Sequence, residues 1–368
     1  MCPNEMRGLS PTWAGIAYKI DDARPRIVDS PPADVDAKAA RSASASSRRS
    51  PPRRTMTAVT AFAPATVSNV ACGFDVLGFA LASPGDEVTA RLAPSGVRID
   101  GIEGDGGRLP RDASRNTAGV AAQALLTRLG ETRGVSLTIR KGLPLSSGLG
   151  GSAASAAAAV VAVDAVLGAQ SSLDVLVACA LEGERLGAGS SHADNIAPSI
   201  CGGFVLVRYP VPPDIVRLPV PAGLTAVVVH PHLEIETASA RALLGTSVPL
   251  ADAVRQWANL GALVHGLHTS DFALIGRALE DTIAEPRRAA LVPGLAAIKA
   301  AAVTAGALGC SLSGSGPSLF ALCASPDVAP RVGEAMAAAV RRAIGEDPEV
   351  YVSPVAAQGA RVVSSCAS

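Results

Sequence analysis

Residues 144–155, PLSSGLGGSAAS, hold the densest set of groups suited to phosphate chemistry. Gly148, Gly150 and Gly151 let the backbone approach a ligand closely, and the small residues after them open a helix. Backbone N–H groups and the positive end of the helix dipole then face one point, which is a seat for phosphate. Ser152 adds a hydroxyl at the helix start that is able to ligate Mg²⁺ or a phosphate oxygen. This is not a Walker A loop, because the G-x-x-x-x-G-K-[ST] spacing and its lysine are missing. Gly148-x-Gly150-x-x-Ala153 does satisfy a looser dinucleotide fingerprint, but that fold also wants an acid ending the next strand about 20 residues on. Asp164 and Asp174 both fall in helical segments instead. The G-x-S-x-G elbow of a serine hydrolase is also absent.

Three more constellations share the chain: PATVSNVACGFDVLGFAL at 64–81, GSSHADNIAPSICGG at 189–203 and SLSGSGPS at 311–318. His230, His232, His265 and His268 have no third metal ligand nearby and read as surface or core residues. In this order and spacing the four segments resemble the GHMP small-molecule kinases, and within them the homoserine kinases. N-x-x-x-G-F-D-V-L-G, G-L-G-G-S-A-A-S, H-A-D-N and S-G-S-G-P-S carry the match, which extends from Ala58 to about Val355.

The resemblance implies an α+β fold of two domains. Residues 56–221 would form an ATP-binding domain like domain 2 of ribosomal protein S5, and residues 222–368 a ferredoxin-like domain. It further implies ATP- and Mg²⁺-dependent phosphorylation of L-homoserine to O-phospho-L-homoserine for threonine synthesis, by a cytoplasmic homodimer. Asn116, which resembles an adenine-pocket asparagine and equally suits a helix N-cap, would join Pro144, Ser147, Gly148, Leu149, Gly150, Gly151, Ser152, Ala153 and Ala154 around ATP. Glu184, eight residues before His192, resembles a Mg²⁺-binding glutamate with Ser152 as the other protein ligand; one carboxylate and one hydroxyl suffice where phosphates and waters complete the shell.

Homoserine carries a carboxylate, an ammonium and a hydroxyl. The resemblance gives Asn69 and Asp75 to the ammonium end, and Arg241 and Arg288 to the carboxylate, which guanidinium groups hold bidentately, with Thr237, four residues before Arg241, also placed at the substrate. Arg287 competes with Arg288, and the P-x-R pattern selects the latter. Gly314, Ser315 and Gly316 would line the same pocket. His192 and Asn195 would border the hydroxyl, with Asn195 orienting it and Asp194 the second choice as general base. Two positions depart from the family pattern: Gly151 where a serine is usual, and Val70-Ala71-Cys72 where Leu-Gly-Pro is common. Another GHMP kinase, acting on an isoprenoid or sugar alcohol, has no need of both arginines; a non-catalytic ligand sensor on this fold has no need of Glu184.

Elements must position these groups. Strand-like alternation runs through 57–69, 86–94, 97–102, 135–144 and 202–210, and apolar stripes at helical spacing through 116–129, 152–167 and 172–185. PVPPD at 210–214 reads as a break at a domain junction. A strand at 224–231 and helices from about Ala238 and over 252–283 follow. Residues 37–54, AKAARSASASSRRSPPRR, lack the large apolar side chains that offset ordering entropy, so residues 1–55 read as a disordered basic extension, with Met56 a candidate start.

The charge agrees with that division. Ten Lys/Arg oppose six Asp/Glu through Arg54, a balance of +4, and the remaining 22 basic and 26 acidic residues give −4. The formal net charge of zero and an aromatic content of 3% argue against a nucleic-acid surface. Residues 153–169, the most apolar stretch, are mainly alanine and include Asp164, which is short and weakly hydrophobic for a membrane span. Seven cysteines form an odd set without a C-x-x-C pair, so neither a disulfide framework nor a zinc site is expected, and a reducing cytosol fits.

Overall fold

A computed structural model describes residues 26–29, 56–188 and 192–367. The first half supplies β1 (Arg26–Asp29), β2 (Met56–Ser68), β3 (Leu77–Ala93), β4 (Val97–Glu103), α1 (Thr117–Leu129), β5 (Gly134–Arg140), α2 (Gly151–Leu167), α3 (Leu173–Ala188), α4 (Ala193–Cys201), β6 (Phe204–Pro210) and β7 (Pro213–Leu218). The second half supplies β8 (Thr225–His230), α5 (Thr237–Ala242), α6 (Leu250–Thr269), α7 (Phe272–Ala278), α8 (Ala284–Arg288), α9 (Leu295–Thr304), β9 (Gly309–Leu312), β10 (Leu319–Cys323), α10 (Ala329–Ile344), β11 (Glu349–Pro354) and β12 (Arg361–Ala367).

Two sheets result. The larger runs β1-β7-β6-β3-β2-β12, with β5 added to β3 and β4 added to β5. The 17-residue β3 serves two neighbours: Leu77–Phe79 pairs with β6, and Glu87–Ala93 pairs with β5. The strand expected at 86–94 therefore starts earlier, inside the motif that carries Gly78. Pairing with β2 and β6, which local sequence does not report, extends it.

α2 lies against this sheet. Its residues Ala153, Ala154, Ala156–Ala159, Val160, Ala162 and Val163 have no exposed surface, and a helix apolar on all sides is a core helix. Alanine permits the close approach, since a larger side chain would hold α2 off β2 and β3. The alanine-rich composition is thus concentrated at the element whose N-terminus must reach the site.

The smaller sheet is antiparallel in the order β11-β8-β10-β9, with α9 and α10 supplying Ile298, Ala302, Val332 and Met336 to its core. This is the ferredoxin-like order. Phe79, Phe204 and Phe320 join the sheets, with ring centroids 4.8 Å apart for Phe79–Phe204 and 5.9 Å for Phe79–Phe320. Three of the six phenylalanines thus sit at one seam.

Three boundaries differ from the sequence reading. Residues 26–29, inside the segment expected to be disordered, form an edge strand parallel to β7, with Ile27 packed on the core; the rest of that segment lies outside the described residues. PVPPD is the turn and start of a β6–β7 hairpin, not a junction, with Pro210 opposite Pro213. Finally, β12 returns to pair with β2, covering what would be an open edge, so the last strand of the expected 222–368 unit belongs to the first sheet. Among the described residues no helix is long and apolar enough to cross a membrane.

Candidate active site

The glycine loop joins β5 to α2. Gly150, at φ +67°, is the N-cap of α2, where a Cβ would lie 2.1 Å from Thr66 Oγ1 and 2.8 Å from Asn195 Oδ1. Gly148, at φ +78°, leaves no room either: its Cβ would be 2.5 Å from the Ser313 carbonyl oxygen. Both need glycine for backbone angle and for space. Ser313 Oγ donates to the Gly148 carbonyl at 2.7 Å, Thr66 N–H to the Leu149 carbonyl at 3.1 Å and Ser147 Oγ to the Pro144 carbonyl at 2.8 Å. Two distant segments and one bond within the loop therefore fix it.

Ser152 and Glu184 come together, the hydroxyl lying 2.9 and 2.7 Å from the two carboxylate oxygens. Burial pushes the Glu184 carboxyl above its ordinary range, opposed by the Ser152 hydrogen bond and the charge of Lys141. Among the described residues no cluster of three or more His, Cys, Asp or Glu forms a metal centre. A buried anion beside a hydroxyl, open to completion by phosphate oxygens and waters, nevertheless fits Mg²⁺.

Lys141, Asp86 and Ser155 are functional supports that the sequence reading misses. Lys141 Nζ ion-pairs with Asp86 and donates to the Gly151 carbonyl at 2.8 Å and to Ser155 Oγ at 2.9 Å. Asp86 also accepts from Gly142 N–H at 3.0 Å and Ser155 Oγ at 2.7 Å. All three ammonium hydrogens are thereby spent beneath the first turn of α2. The signal available was a lysine ending a strand, which ordinarily marks a solvated end.

Asn116 caps α1: its Oδ1 accepts from Ala118 N–H at 3.0 Å and its Nδ2 donates to the Pro110 carbonyl at 2.9 Å. The next residue touches the glycine loop helix, with Thr117 Oγ1 3.4 Å from the Ser152 carbonyl. The capping role is thus occupied.

The remaining motif residues converge on the other side of the loop. Asn69, Val70, Ala71 and Asp75 have φ of 66°, 35°, 56° and 59°, a left-handed backbone that costs non-glycine residues about 1–3 kcal/mol each. Hydrogen bonds hold it: Asn69 N–H to Asp194 Oδ2 at 3.2 Å, Asp75 N–H to Asn69 Oδ1 at 3.0 Å, and Asn69 Nδ2 to the Gly314 carbonyl at 2.8 Å. Arg288 donates to the same Gly314 carbonyl at 3.1 Å and to the Ala240 carbonyl at 3.3 Å, while Arg287 does not enter this network. Arg241 forms a bidentate pair with Asp75, its first bond 3.1 Å long. Thr237 Oγ1 lies 3.5 Å from Ser315 Oγ, and Gly314 N–H reaches the Ser68 carbonyl at 3.2 Å.

α4 delivers the H-A-D-N residues, with His192 as N-cap. Two β2 hydroxyls set the Asn195 amide: Thr66 Oγ1 donates to Oδ1 at 2.7 Å, and Nδ2 donates to Ser68 Oγ at 3.0 Å. These orienters escape a sequence reading because Thr and Ser are ordinary in strands. Asp194 is buried, and its Oδ1 has no hydrogen-bond partner. Burial, then the charge of Asp75, pushes its carboxyl up to about 7. Burial holds His192 below its usual value; Asp75 opposes that, and Arg241 and Arg288 add to it. Cations, anions, an amide and a phosphate-type loop are therefore one site. By contrast, a cavity of about 780 Å³ between α1 and α3, lined by Val97, Ser114, Val120, Gln123, Cys179 and Glu182, contains none of the residues the motifs single out.

Comparison with known proteins agrees with this geometry. The family model described as GHMP kinases N terminal domain matches residues 116–203, and GHMP kinases C terminal matches 263–342. A homoserine kinase of Chlorobium phaeobacteroides (strain BS1) is 49% identical over 322 residues, spanning 84% of this chain and all of that protein. One from Xanthomonas campestris pv. campestris (strain B100) is 42% identical over 315 residues, 85% of this chain and 97% of that protein. The crystal structure of a homoserine kinase from Cytophaga hutchinsonii superposes with a TM-score of 0.82 at 50% identity, covering 84% of this chain and 99% of that one. With relatives this similar matched over nearly their whole length, the chain belongs to the homoserine kinase family of the GHMP kinases.

Proposed function

We propose that the chain transfers the γ-phosphoryl group of ATP to the side-chain hydroxyl of L-homoserine, giving O-phospho-L-homoserine. The observation that carries this reading is one network, in which Asn69 links Asp194 and Asp75 to the Gly314 carbonyl that Arg288 also reaches, and Arg241 pairs with Asp75, beside the Asn195 amide and the glycine loop. Two cations answer a carboxylate, two acids answer an ammonium, and the amide answers a hydroxyl. An isoprenoid or sugar alcohol has no ammonium to meet the unpartnered oxygen of Asp194.

In this reading the backbone N–H groups of the glycine loop and the dipole of α2 hold the phosphates. Ser152 and Glu184 would hold Mg²⁺, which when bound offsets charge on the phosphate oxygens. Asn195, fixed by Thr66 and Ser68, orients the attacking hydroxyl. Arg241 exchanges Asp75 for the substrate carboxylate, and Asp75 and Asp194 take the ammonium. The hydroxyl proton leaves to phosphate, with no protein base required. A cytoplasmic setting is part of the proposal, and the six cysteines among the described residues are all free.

Asp194 makes the reading pH-dependent. Its carboxyl is protonated below about 7 and then offers no charge to the ammonium. kcat/KM for homoserine therefore rises with pH through about 7, and Asp194→Asn lowers it and flattens the profile. A stability profile should move oppositely: the folded pKa lies above the ordinary 3.8, so the contribution of this group is complete below 3.8 and is lost as pH rises through about 7. An Asp194→Asn profile that still climbs through 7 would contradict the assignment.

An ADP-release assay comparing L-homoserine, mevalonate and galactose tests the function. Turnover confined to homoserine is expected; preference for either of the others would overturn the proposal.

A further inference from the structure

Arg288 poses a problem of charge. Its guanidinium is buried, yet it bonds two carbonyl oxygens and no carboxylate. Burial lowers the Arg288 pKa most; the carboxylates of Asp75, Asp281 and Asp194 oppose that only at a distance, and the nearby guanidinium of Arg241 adds to the lowering. Buried cations repel and are costly unless something compensates them.

What the two share is one aromatic ring. The Arg241 guanidinium carbon lies 5.6 Å from the centroid of Phe74, and that of Arg288 lies 5.4 Å from the same centroid. Both are within cation–π range, where the negative face of the ring attracts the cation. The ring itself is held by its neighbours in sequence. A Cβ at Gly73 would lie 2.3 Å from Leu77 Cβ, so only glycine fits before it, and the left-handed Asp75 after it is pinned by Asn69.

We infer that Phe74 is a positioning residue for the carboxylate of the substrate: its ring holds Arg241 and Arg288 side by side, aimed at one anion. This rests on the functional reading above and adds a residue to it. When homoserine arrives, Asp75 is freed to meet the ammonium, and Arg241 keeps its place because Phe74 still holds it. Neither arginine then has to be ordered at the moment of binding, which is the cost that preorganisation removes.

The test is steady-state kinetics and calorimetric binding of L-homoserine to Phe74→Leu, with Phe74→Tyr as the conservative variant. Loss of a cation–π contact of about 0.5–2 kcal/mol corresponds to about 2–30-fold, so KM and Kd for homoserine should rise about tenfold in Phe74→Leu. The KM for ATP should hold, and Phe74→Tyr should restore homoserine affinity. 3-Aminopropan-1-ol, which lacks the carboxylate, should bind Phe74→Leu as it binds the wild type. Fluorinated phenylalanines incorporated at position 74 keep the shape and weaken the π face, so Kd should climb with each fluorine even if Phe74→Leu folds poorly. Unchanged homoserine affinity across the fluorinated series, or equal losses for homoserine and the amino alcohol, would overturn the inference. Wild-type protein that binds and clamps homoserine without phosphorylating it would instead overturn the functional reading alone.

Discussion

Glu184→Gln lowers kcat by about 10²–10³-fold, taking as a guide the range for removal of one preorganised group that stabilises charge in the transition state, while Tm stays at or above the wild-type value. The split follows from the surroundings of this carboxylate. Glu184 is buried and raised in pKa by that burial, so its charge is a cost to the free protein. Glutamine has nearly the same shape and retains an oxygen to accept the Ser152 hydroxyl. Nothing in the packing is lost, and the desolvated charge disappears. What goes is the anion proposed to hold Mg²⁺ beside the phosphates, so the Mg²⁺ concentration for half-maximal rate should also rise. Thermal melts and initial rates on one preparation check both halves. A variant with wild-type kcat would remove Glu184 from the metal site; one that melts much lower would show a structural role.

Lys141→Met is expected to do the reverse and strike stability first. The substitution leaves Asp86 as a buried carboxylate without its cation, and breaking a buried ion pair costs about 3–5 kcal/mol. For a protein of this size that shifts Tm by roughly 4–8 °C. The Gly151 carbonyl and Ser155 hydroxyl lose their donor as well, so the first turn of α2 is free to shift, and kcat/KM for ATP falls with it. Lys141→Met combined with Asp86→Asn removes both charges while leaving an oxygen for Gly142 N–H. The pair should then lose less than the sum of the single variants, by 1 kcal/mol or more in a denaturation cycle, which is the range for residues in contact. Additive losses would mean that the two charges do not depend on each other.

These two variants also mark what a linear reading can and cannot reach. Glu184 is singled out only through the family resemblance and its spacing to H-A-D-N, since taken alone Glu182 or Glu184 reads as an exposed helix face, whereas Ser152 stands in the glycine loop; the structure pairs the two. The core helix α2 is legible, since a run of alanine and valine after three glycines has few other uses. Lys141 and Asp86 are 55 residues apart, one just past β5 and the other in β3, and each taken alone is an ordinary charge in or beside an alternating run. Only the pairing of β3 with β5 places them under α2.

The same holds for Thr66 and Ser68. They read as strand residues until α4 packs across β2 and puts the Asn195 amide between them. The end of the chain escapes for another reason. RVVSSCA carries little apolar pattern of its own, and its place at the edge of β2 is set by long-range register rather than local sequence. PVPPD misleads because proline punctuates hairpins as readily as domain junctions.

The most direct test of the central claim is phosphorus NMR of the protein with ATP, Mg²⁺ and L-homoserine. A phosphomonoester resonance coupled to the protons of the terminal CH₂ of homoserine, growing in step with ADP, is the predicted result. ADP accompanied only by inorganic phosphate, or no homoserine-dependent ADP at all, would contradict it.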